Sequence, residues 1–416
     1  MQHKKRIGYL ISAALLAAVL AGCSQSPFGI FASVARERAI LDDRNLDNEI
    51  TVGAMTKAGT KYFLAAGALY YRDEDNPGAA DDADKKPSWE SVPAPGTNYT
   101  TTSVVTVDFT GTDERVFAVY ASADGVTHRV YEIDVADPKK TPTPRFETTG
   151  SDFALGEIFA LDDGLDVWLV VNHEGDATIS DWSLYGSTDG DTFSPISGTA
   201  ANEPYVDVVA DPVSNDVLYL RANAVLTDVD GVAAGADPGD AAPAPGLDSP
   251  ARFTGAHYDS VGNLFWLADN SGHLYSAAPG FAAWTRNTTA YTTSSADNAP
   301  VISFTDFSAV PRGAQTVLLV GTSGYGYRVI GDAATATATS GVSSPAVDGS
   351  NYESSALATS TVSAWFVDPD PVTGYPVVTA DGEQSWDGSI VFAGTPKQGL
   401  WRALSSDDGP IQWLRE

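Results

Sequence analysis

The chain is short of basic residues, nearly free of cysteine, poor in histidine, and lacks Leu-rich helical stripes. Lys and Arg number 24 against 54 Asp and Glu, a formal net charge of −30. A body this acidic repels phosphate backbones and anionic lipid headgroups, which argues against a nucleic-acid partner. The single cysteine, Cys23, rules out a disulfide within the chain. Beyond the first residues the histidines are His128, His173, His257 and His273, and none forms the HxxxH or HxH spacing of a zinc site. No Gly-x-Ser-x-Gly elbow and no glycine-rich phosphate loop occurs. Pairs of carboxylates are unavoidable at this acid content, so their presence carries no catalytic signal. No catalytic residue, metal site or cofactor is expected from these patterns.

What is present begins with a leader. Lys4, Lys5 and Arg6 precede an apolar run, Ile7 to Leu20, and then Leu20-Ala21-Gly22-Cys23. A charged start, a short apolar stretch and small residues mark a secretory signal. The Leu-Ala-Gly-Cys ending resembles the lipobox of bacterial lipoproteins. That resemblance implies cleavage before Cys23, acylation of Cys23, and a lipid anchor in a membrane of the cell envelope. Several acyl chains anchor stably where one would be marginal. Ser24 after the acylated position favours the outer membrane where lipoproteins are sorted by this residue. Loss of residues 1–22 leaves 24 − 3 = 21 basic residues against 54 acidic ones, a net of −33. Residues 23–47 then read as a tether and a short helix, with apolar residues at Phe31, Val34, Ile40 and Leu41 near helical spacing.

Residues 48–416 read as one all-β domain. A strong apolar run, a turn, and a second run bearing Tyr or Trp recur seven times, starting at Tyr62, Val116, Val167, Val217, Leu264, Val317 and Ile390. The gaps between these starts are 54, 51, 50, 47, 53 and 73 residues. A period near fifty with about four strands in each repeat predicts a seven-bladed β-propeller; six or eight blades also fit, because the last gap is long. A smaller, more polar strand precedes each phrase, as suits an innermost strand. Outer strands are expected at Trp89–Val92, Arg145–Thr148, Phe193–Ile196, Ala251–Thr254, Ala283–Asn287 and Ile411–Arg415, with a weak candidate for the sixth blade at Ala333–Thr339. Asp73–Lys86, Val232–Asp248 and Gly331–Ser350 are rich in Asp, Ala, Gly, Ser and Pro and read as surface loops.

Ser187-Thr188-Asp189-Gly190-Asp191-Thr192-Phe193 lies between the third and fourth strands of the third repeat. It resembles the Asp-box of sialidase-like and sortilin-like (BNR-type) propellers, one residue shorter than usual. Ser405, Asp407, Gly409 and Trp413 form a second, longer copy in the last repeat. The resemblance implies a structural turn, held by Ser and Asp capping their own backbone, on the side away from the ligand face. A sialidase also needs an arginine triad, commonly with an Arg-Ile-Pro motif, and no Arg-Ile-Pro occurs. Asp228-Val229-Asp230-Gly231 matches half of a calcium loop without the later ligands, so structural Ca²⁺ on the Asp-rich loops is the one metal left open.

Propellers usually meet ligands on the face built from the turns between second and third strands and from the links between blades. Those turns carry His173, Glu174, Arg221, Asn223, Asp269, His273, Tyr325, Lys397 and Gln398, and together they are the expected contact face. The expected function is a membrane-anchored, extracytoplasmic lipoprotein whose propeller is a non-catalytic binding scaffold for a protein or glycan. The alternative is a glycoside hydrolase or lyase acting on extracellular polysaccharide.

Overall fold

The computed structural model describes Leu46 and residues 51–73, 89–123, 127–149, 155–175, 182–229, 231–232, 239–240, 247, 251–260, 262–286, 301–312, 315–330, 360–368, 390–396, 399–406 and 409–415. Asn45–Glu416 forms one compact unit. The expected leader, the Cys23 anchor and the 31–46 helix lie outside the described residues, apart from Leu46. Every described element is a strand.

The strands form seven antiparallel sheets in sequence order. Blade one is β1 (Ala54–Ala58), β2 (Lys61–Ala66), β3 (Ala68–Asp73) and β4 (Glu90–Ser91). Blade two is β5 (Tyr99–Asp108), β6 (Glu114–Ser122), β7 (Thr127–Ile133) and β8 (Thr143–Thr149). Blade three is β9 (Leu155–Asp162), β10 (Val167–Glu174), β11 (Trp182–Ser187) and β12 (Ser194–Pro195). Blade four is β13 (Tyr205–Asp211), β14 (Asp216–Arg221), β15 (Val225–Asp228) and β16 (Gly239–Asp240). Blade five is β17 (Phe253–Asp259), β18 (Leu264–Asp269), β19 (Leu274–Ala277) and β20 (Thr285–Arg286). The sixth sheet has three described strands, β21 (Phe304–Arg312), β22 (Gln315–Thr322) and β23 (Tyr327–Ile330). The last blade is β24 (Ala364–Asp368), β25 (Ile390–Thr395), β26 (Gly399–Ser406) and β27 (Gly409–Arg415). The first strands β1, β5, β9, β13, β17, β21 and β24 each neighbour the next, and β24 returns to β1. The fold is therefore an all-β propeller closed around an axis, with six four-stranded blades and the sheet β21–β23.

The second strand of each sheet explains the repeated phrase. In β2, Phe63 and Ala65 pack toward blade two, while Tyr62, Leu64 and Ala66 pack toward the last blade. In β14, Val217 and Tyr219 join the cluster shared with blade three, and Leu218 and Leu220 join the one shared with blade five. Alternate side chains thus enter opposite interfaces, and both faces of the strand are buried. A strand buried on both faces reads as a continuous apolar run rather than an alternating one. All seven phrase starts fall within or at the first residue of such a strand.

Two expectations need correction or restriction. Ala251–Thr254 is not the outer strand of blade four. Phe253 and Thr254 begin β17, the inner strand of blade five, and the outer position is held by Gly239–Asp240, inside the stretch expected to be only a loop. Two residues of ladder suffice there, and so short and small a pairing leaves no apolar periodicity to find. The candidate at Ala333–Thr339 lies outside the described residues.

The turn at 187–193 has the expected capping. Ser187 Oγ accepts from Gly190 N at 2.9 Å and donates to Asp189 Oδ1 at 3.0 Å. Asp189 Oδ1 accepts from Thr192 N and Asp191 N at 2.7 and 2.8 Å. Those backbone donors hold the carboxyl down at about 2. Gly190 is buried at φ 72°, and Arg115 Nη1 from blade two donates to Asp189 O. Phe193 packs on Phe146 with ring centroids 4.9 Å apart. A Cβ on Gly190 would lie 2.6 Å from Phe117 Cζ and 2.9 Å from Arg115 Nη1. Gly190→Ala should therefore destabilise by more than about 1 kcal/mol in urea unfolding, through strained φ and the clash together; an unchanged midpoint would mean the turn does not tie blade two to blade three. In the last blade, Ser405 and Gly409 flank the turn between β26 and β27, Trp413 pairs with Ala403 across that hairpin, and Asp407 lies outside the described residues.

Candidate functional site

The topology sorts the loops onto two faces. Turns between the second and third strands, together with the links entering each blade, lie on one face; first-to-second and third-to-fourth turns lie on the other. The expected contact residues divide sharply between buried and exposed. His173 is buried among Phe146 and Tyr185, with ring centroids 5.8 and 5.0 Å away, and burial lowers its pKa. Asp269 is fully buried. Its Oδ1 accepts from Ser271 N and His273 N at 2.8 and 3.0 Å, and its Oδ2 accepts from Tyr275 OH at 2.8 Å. His273 is buried beside it, 3.4 Å from Asp269 Oδ2 and 3.0 Å from Arg286 Nη2. All three side chains are buried rather than facing solvent, and Asp269 shapes its turn from inside. Glu174 and Arg221 are half-buried at the ends of β10 and β14, Asn223 and Tyr325 are exposed, and Lys397 and Gln398 lie outside the described residues.

Around Asn223 the face is organised by residues that strand patterning does not single out. Asn223 Nδ2 donates to Glu203 Oε2 at 2.7 Å, and Arg252 Nη1 donates to Asn223 Oδ1. Arg252 N donates to Asn270 Oδ1 at 2.8 Å, and Asn270 N donates back to Arg252 O at 2.9 Å. Glu203 and Arg252 sit in the links entering blades four and five; Asn223 and Asn270 sit in their second-to-third turns. The four make one polar rim across two blades, held by backbone as well as side chains.

Inside the rim lies the axis. Glu157, Asp207 and Asp306 are each the third residue of an inner strand, β9, β13 and β21, on the end nearest this face. An inner strand presents an unpaired edge to the axis, so its N–H groups need acceptors. Asp207 Oδ2 accepts from Ala256 N of blade five at 3.0 Å, and its Oδ1 accepts from Val208 N at 2.9 Å. Asp306 Oδ2 accepts from Trp365 N of the last blade at 3.2 Å, and its Oδ1 accepts from Phe307 N at 2.8 Å. Ser103 does the same for Ile158 N at 3.1 Å. Each of these side chains staples its blade to the next.

Glu157 differs. It remains exposed to solvent on the innermost strand of blade three, and no backbone N–H among the described residues is shown donating to it. Burial, with Asp207 adding repulsion, pushes its carboxyl up to about 7. Burial raises Asp207 to about 6 against its backbone donors. Burial, with repulsion from Asp207 and Glu157, raises Asp306 to about 8. Blades three and six are not neighbours in the ring, so Asp306 senses the charge of Glu157 across the axis. On β17, His257 lies against Phe307, centroids 6.2 Å apart, and burial lowers it to about 4. Among the described residues no group of three or more His, Cys, Asp or Glu is placed to hold a metal ion. Asp228, from the half calcium loop, is buried at the end of β15, and Asp230 lies outside the described residues.

Comparison with known proteins adds the fold. No model of a protein family matches the chain, and no curated protein matches it in sequence. Among solved structures it is similar to the extracellular domain of BT4673 from B. thetaiotaomicron, described as a one component system, at 12% identity and a TM-score of 0.53 over 87% of this chain. A second structure of that domain, described under a hybrid two component system, gives 13% identity and a TM-score of 0.52 over 86%. The chain spans only 39% and 38% of the length of those two structures. The WD40 β-propeller domain of Doa1 is matched at 10% identity and a TM-score of 0.50, over 86% of this chain and 94% of that one. At such identities the likeness is one of fold.

Proposed function

We propose that the chain is a membrane-anchored, extracytoplasmic lipoprotein whose propeller binds a protein or glycan at the axial mouth without catalysing a reaction. The anchor rests on Leu-Ala-Gly-Cys23 directly after the apolar run, and the outer membrane on Ser24. The extracellular setting of the BT4673 domain is compatible with this location.

The observation that carries the non-catalytic reading is the division of labour among the axial acids. A glycosidase needs two carboxyl groups free to reach the substrate. Both oxygens of Asp207 and of Asp306 are spent on backbone N–H groups, so of the three axial acids only Glu157 has a carboxyl free to face a substrate. The mouth can instead offer hydrogen bonds from the Glu203–Asn223–Arg252–Asn270 rim and the exposed ring of Tyr325, a residue type favoured at interfaces. Glu157, with its raised carboxyl, is the specific feature that favours the hydrolase alternative.

The test uses the full chain in its native envelope. It should pellet with membranes, Cys23→Ser should move it to the soluble fraction, and partners should be recovered by pull-down. Asn223→Ala with Arg252→Ala and Tyr325→Ala should reduce that recovery at least tenfold with the fold intact. Undiminished recovery would remove the mouth as the contact face. Turnover on a panel of polysaccharides, abolished by Glu157→Gln, would replace the binding reading with the hydrolase.

A further inference from the structure

The opposite face carries a second surface. The turn after β9 reads Asp162-Asp163-Gly164-Leu165-Asp166, and Leu165 stands 56% exposed. On blade four, Val213 in the turn after β13 is 87% exposed and Val229 after β15 is 52% exposed. These are three of the five large apolar side chains that stand out from the described surface. The three turns touch. A Cβ on Gly164 would run into Pro212 O and come within 2.7 Å of Asn215 Oδ1. A Cβ on Gly231 would lie 3.0 Å from Leu165 Cδ1. Three exposed aliphatic side chains therefore stand on adjoining turns of two blades.

Their presentation is rigid. Asp163 is fully buried and accepts four hydrogen bonds: Oδ1 from Leu165 N at 3.0 Å and Asp166 N at 2.8 Å, and Oδ2 from Trp168 Nε1 at 3.1 Å and Val232 N at 2.8 Å. One carboxylate thus locks Leu165 outward and ties its turn to the strand end that carries Val229. Asp211 Oδ1 accepts from Val213 N at 2.9 Å, and Ser214 Oγ lies 2.7 Å from both Asp211 Oδ2 and Asp216 Oδ2. Loops fixed this way lose little conformational freedom when a partner arrives. Charge then selects the partner. Asp162 and Asp166 flank Leu165, both exposed, and among the described residues neither has an ion pair. The rest of the chain is strongly anionic. Exposed aliphatic groups fringed by unneutralised carboxylates complement a segment that alternates aliphatic and cationic side chains.

We propose that Leu165, Val213 and Val229, with Asp162 and Asp166 at their edge, form a docking surface for a cationic, aliphatic protein segment. It lies on the face away from the axial mouth, so it stands or falls independently of the function proposed above. The test titrates the full chain with three labelled peptides of equal length: alternating Lys and Leu, Lys and Ser, and Glu and Leu. Only the Lys–Leu peptide should bind. Its affinity should fall at least tenfold in the Leu165→Ser, Val213→Ser, Val229→Ser variant and severalfold in Asp162→Asn, Asp166→Asn. Hydrogen exchange should slow at residues 162–166 and 212–215 when it binds. All five side chains are exposed, so the variants should melt as the parent does. Equal binding of the Lys–Ser peptide, or Lys–Leu binding that ignores the substitutions, would reduce the effect to general attraction by an acidic protein. Self-association or binding to neutral vesicles that the serine variant abolishes would assign the surface to a second copy or to lipid, and would overturn the proposal.

Discussion

Asp368→Ala is expected to lower the stability of the propeller by about 3 kcal/mol, as the loss of one partner from a buried charge pair does. Asp368 ends β24 in the last blade and is 3% exposed. Its Oδ2 accepts from Lys57 Nζ at 2.8 Å and from Tyr62 OH at 2.6 Å, both in blade one. No described strand crosses between these two blades, so the ring closes through side chains and through Val52 N donating to Thr395 O at 3.5 Å. Tyr62 is fully buried, edge-on to Phe366 and Phe392 at 6.0 and 5.3 Å, with the Arg72 guanidinium 5.0 Å from its ring centroid. Alanine would remove the carboxylate oxygen that the Lys57 ammonium and the Tyr62 hydroxyl share across this seam. A circular array loses its last interface as a unit, so the damage should show as a lower urea midpoint for the whole transition. Asp368→Leu combined with Lys57→Met should recover much of the loss, because a pair replaced by apolar groups leaves no lone charge. A midpoint unmoved by Asp368→Ala would show that the closure lies elsewhere.

The second strands were legible in the sequence because two-sided burial demands an uninterrupted apolar run, and seven such runs at a period near fifty admit few folds. The capped turn at 187–193 was legible for a similar reason: Ser, Asp and Gly at fixed offsets satisfy a fixed set of backbone donors. The site was harder. Asp269 and His273 look like solvated turn residues by type, yet Asp269 is buried because the turn needs an internal acceptor for Ser271 N, His273 N and Tyr275 OH. Glu203 and Arg252 sit in the links between blades, where no periodicity anchors a reading. Glu157, Asp207 and Asp306 were hidden among 54 carboxylates, although each carried a local mark: an acid followed by an apolar residue inside an inner strand, Glu157-Ile158, Asp207-Val208 and Asp306-Phe307. An inner strand has one open edge, and at that position Asp207 and Asp306 are the acceptors that the next blade's backbone lacks.

Those three acids should make the protein lose stability as pH rises from about 5 to 8. Glu157 goes from an ordinary 4.5 to about 7, Asp207 from 3.8 to about 6, and Asp306 from 3.8 to about 8. Between the unfolded and folded values the folded chain holds more protons, so the free energy of unfolding falls with rising pH. His257 works the other way, because its folded value of about 4 lies below the ordinary 6.5. Its contribution is complete above 6.5 and is lost as pH falls toward 4. The window from 6.5 to 8 is therefore the clean one, with Glu157 and Asp306 still titrating. The carboxyl groups held low, such as Asp189 at about 2, are ionised throughout it and add no slope. An effect on the order of 1 kcal/mol per pH unit is expected, allowing for water in the channel. Asp306→Asn removes the titrating group but keeps only one of the two oxygens that accept from Phe307 N and Trp365 N. It should lower stability at pH 5, lose less than the parent between pH 5 and pH 8, and so flatten the dependence. Urea midpoints at pH 5, 6.5 and 8 for both proteins decide it, and parallel curves would mean that Asp306 ionises as freely in the folded chain as in the unfolded one. The same proton sharing sets the charge of the mouth: near neutrality Glu157 is only partly ionised, so a partner that accepts a hydrogen bond there should bind more tightly below pH 7, and a cationic one above it.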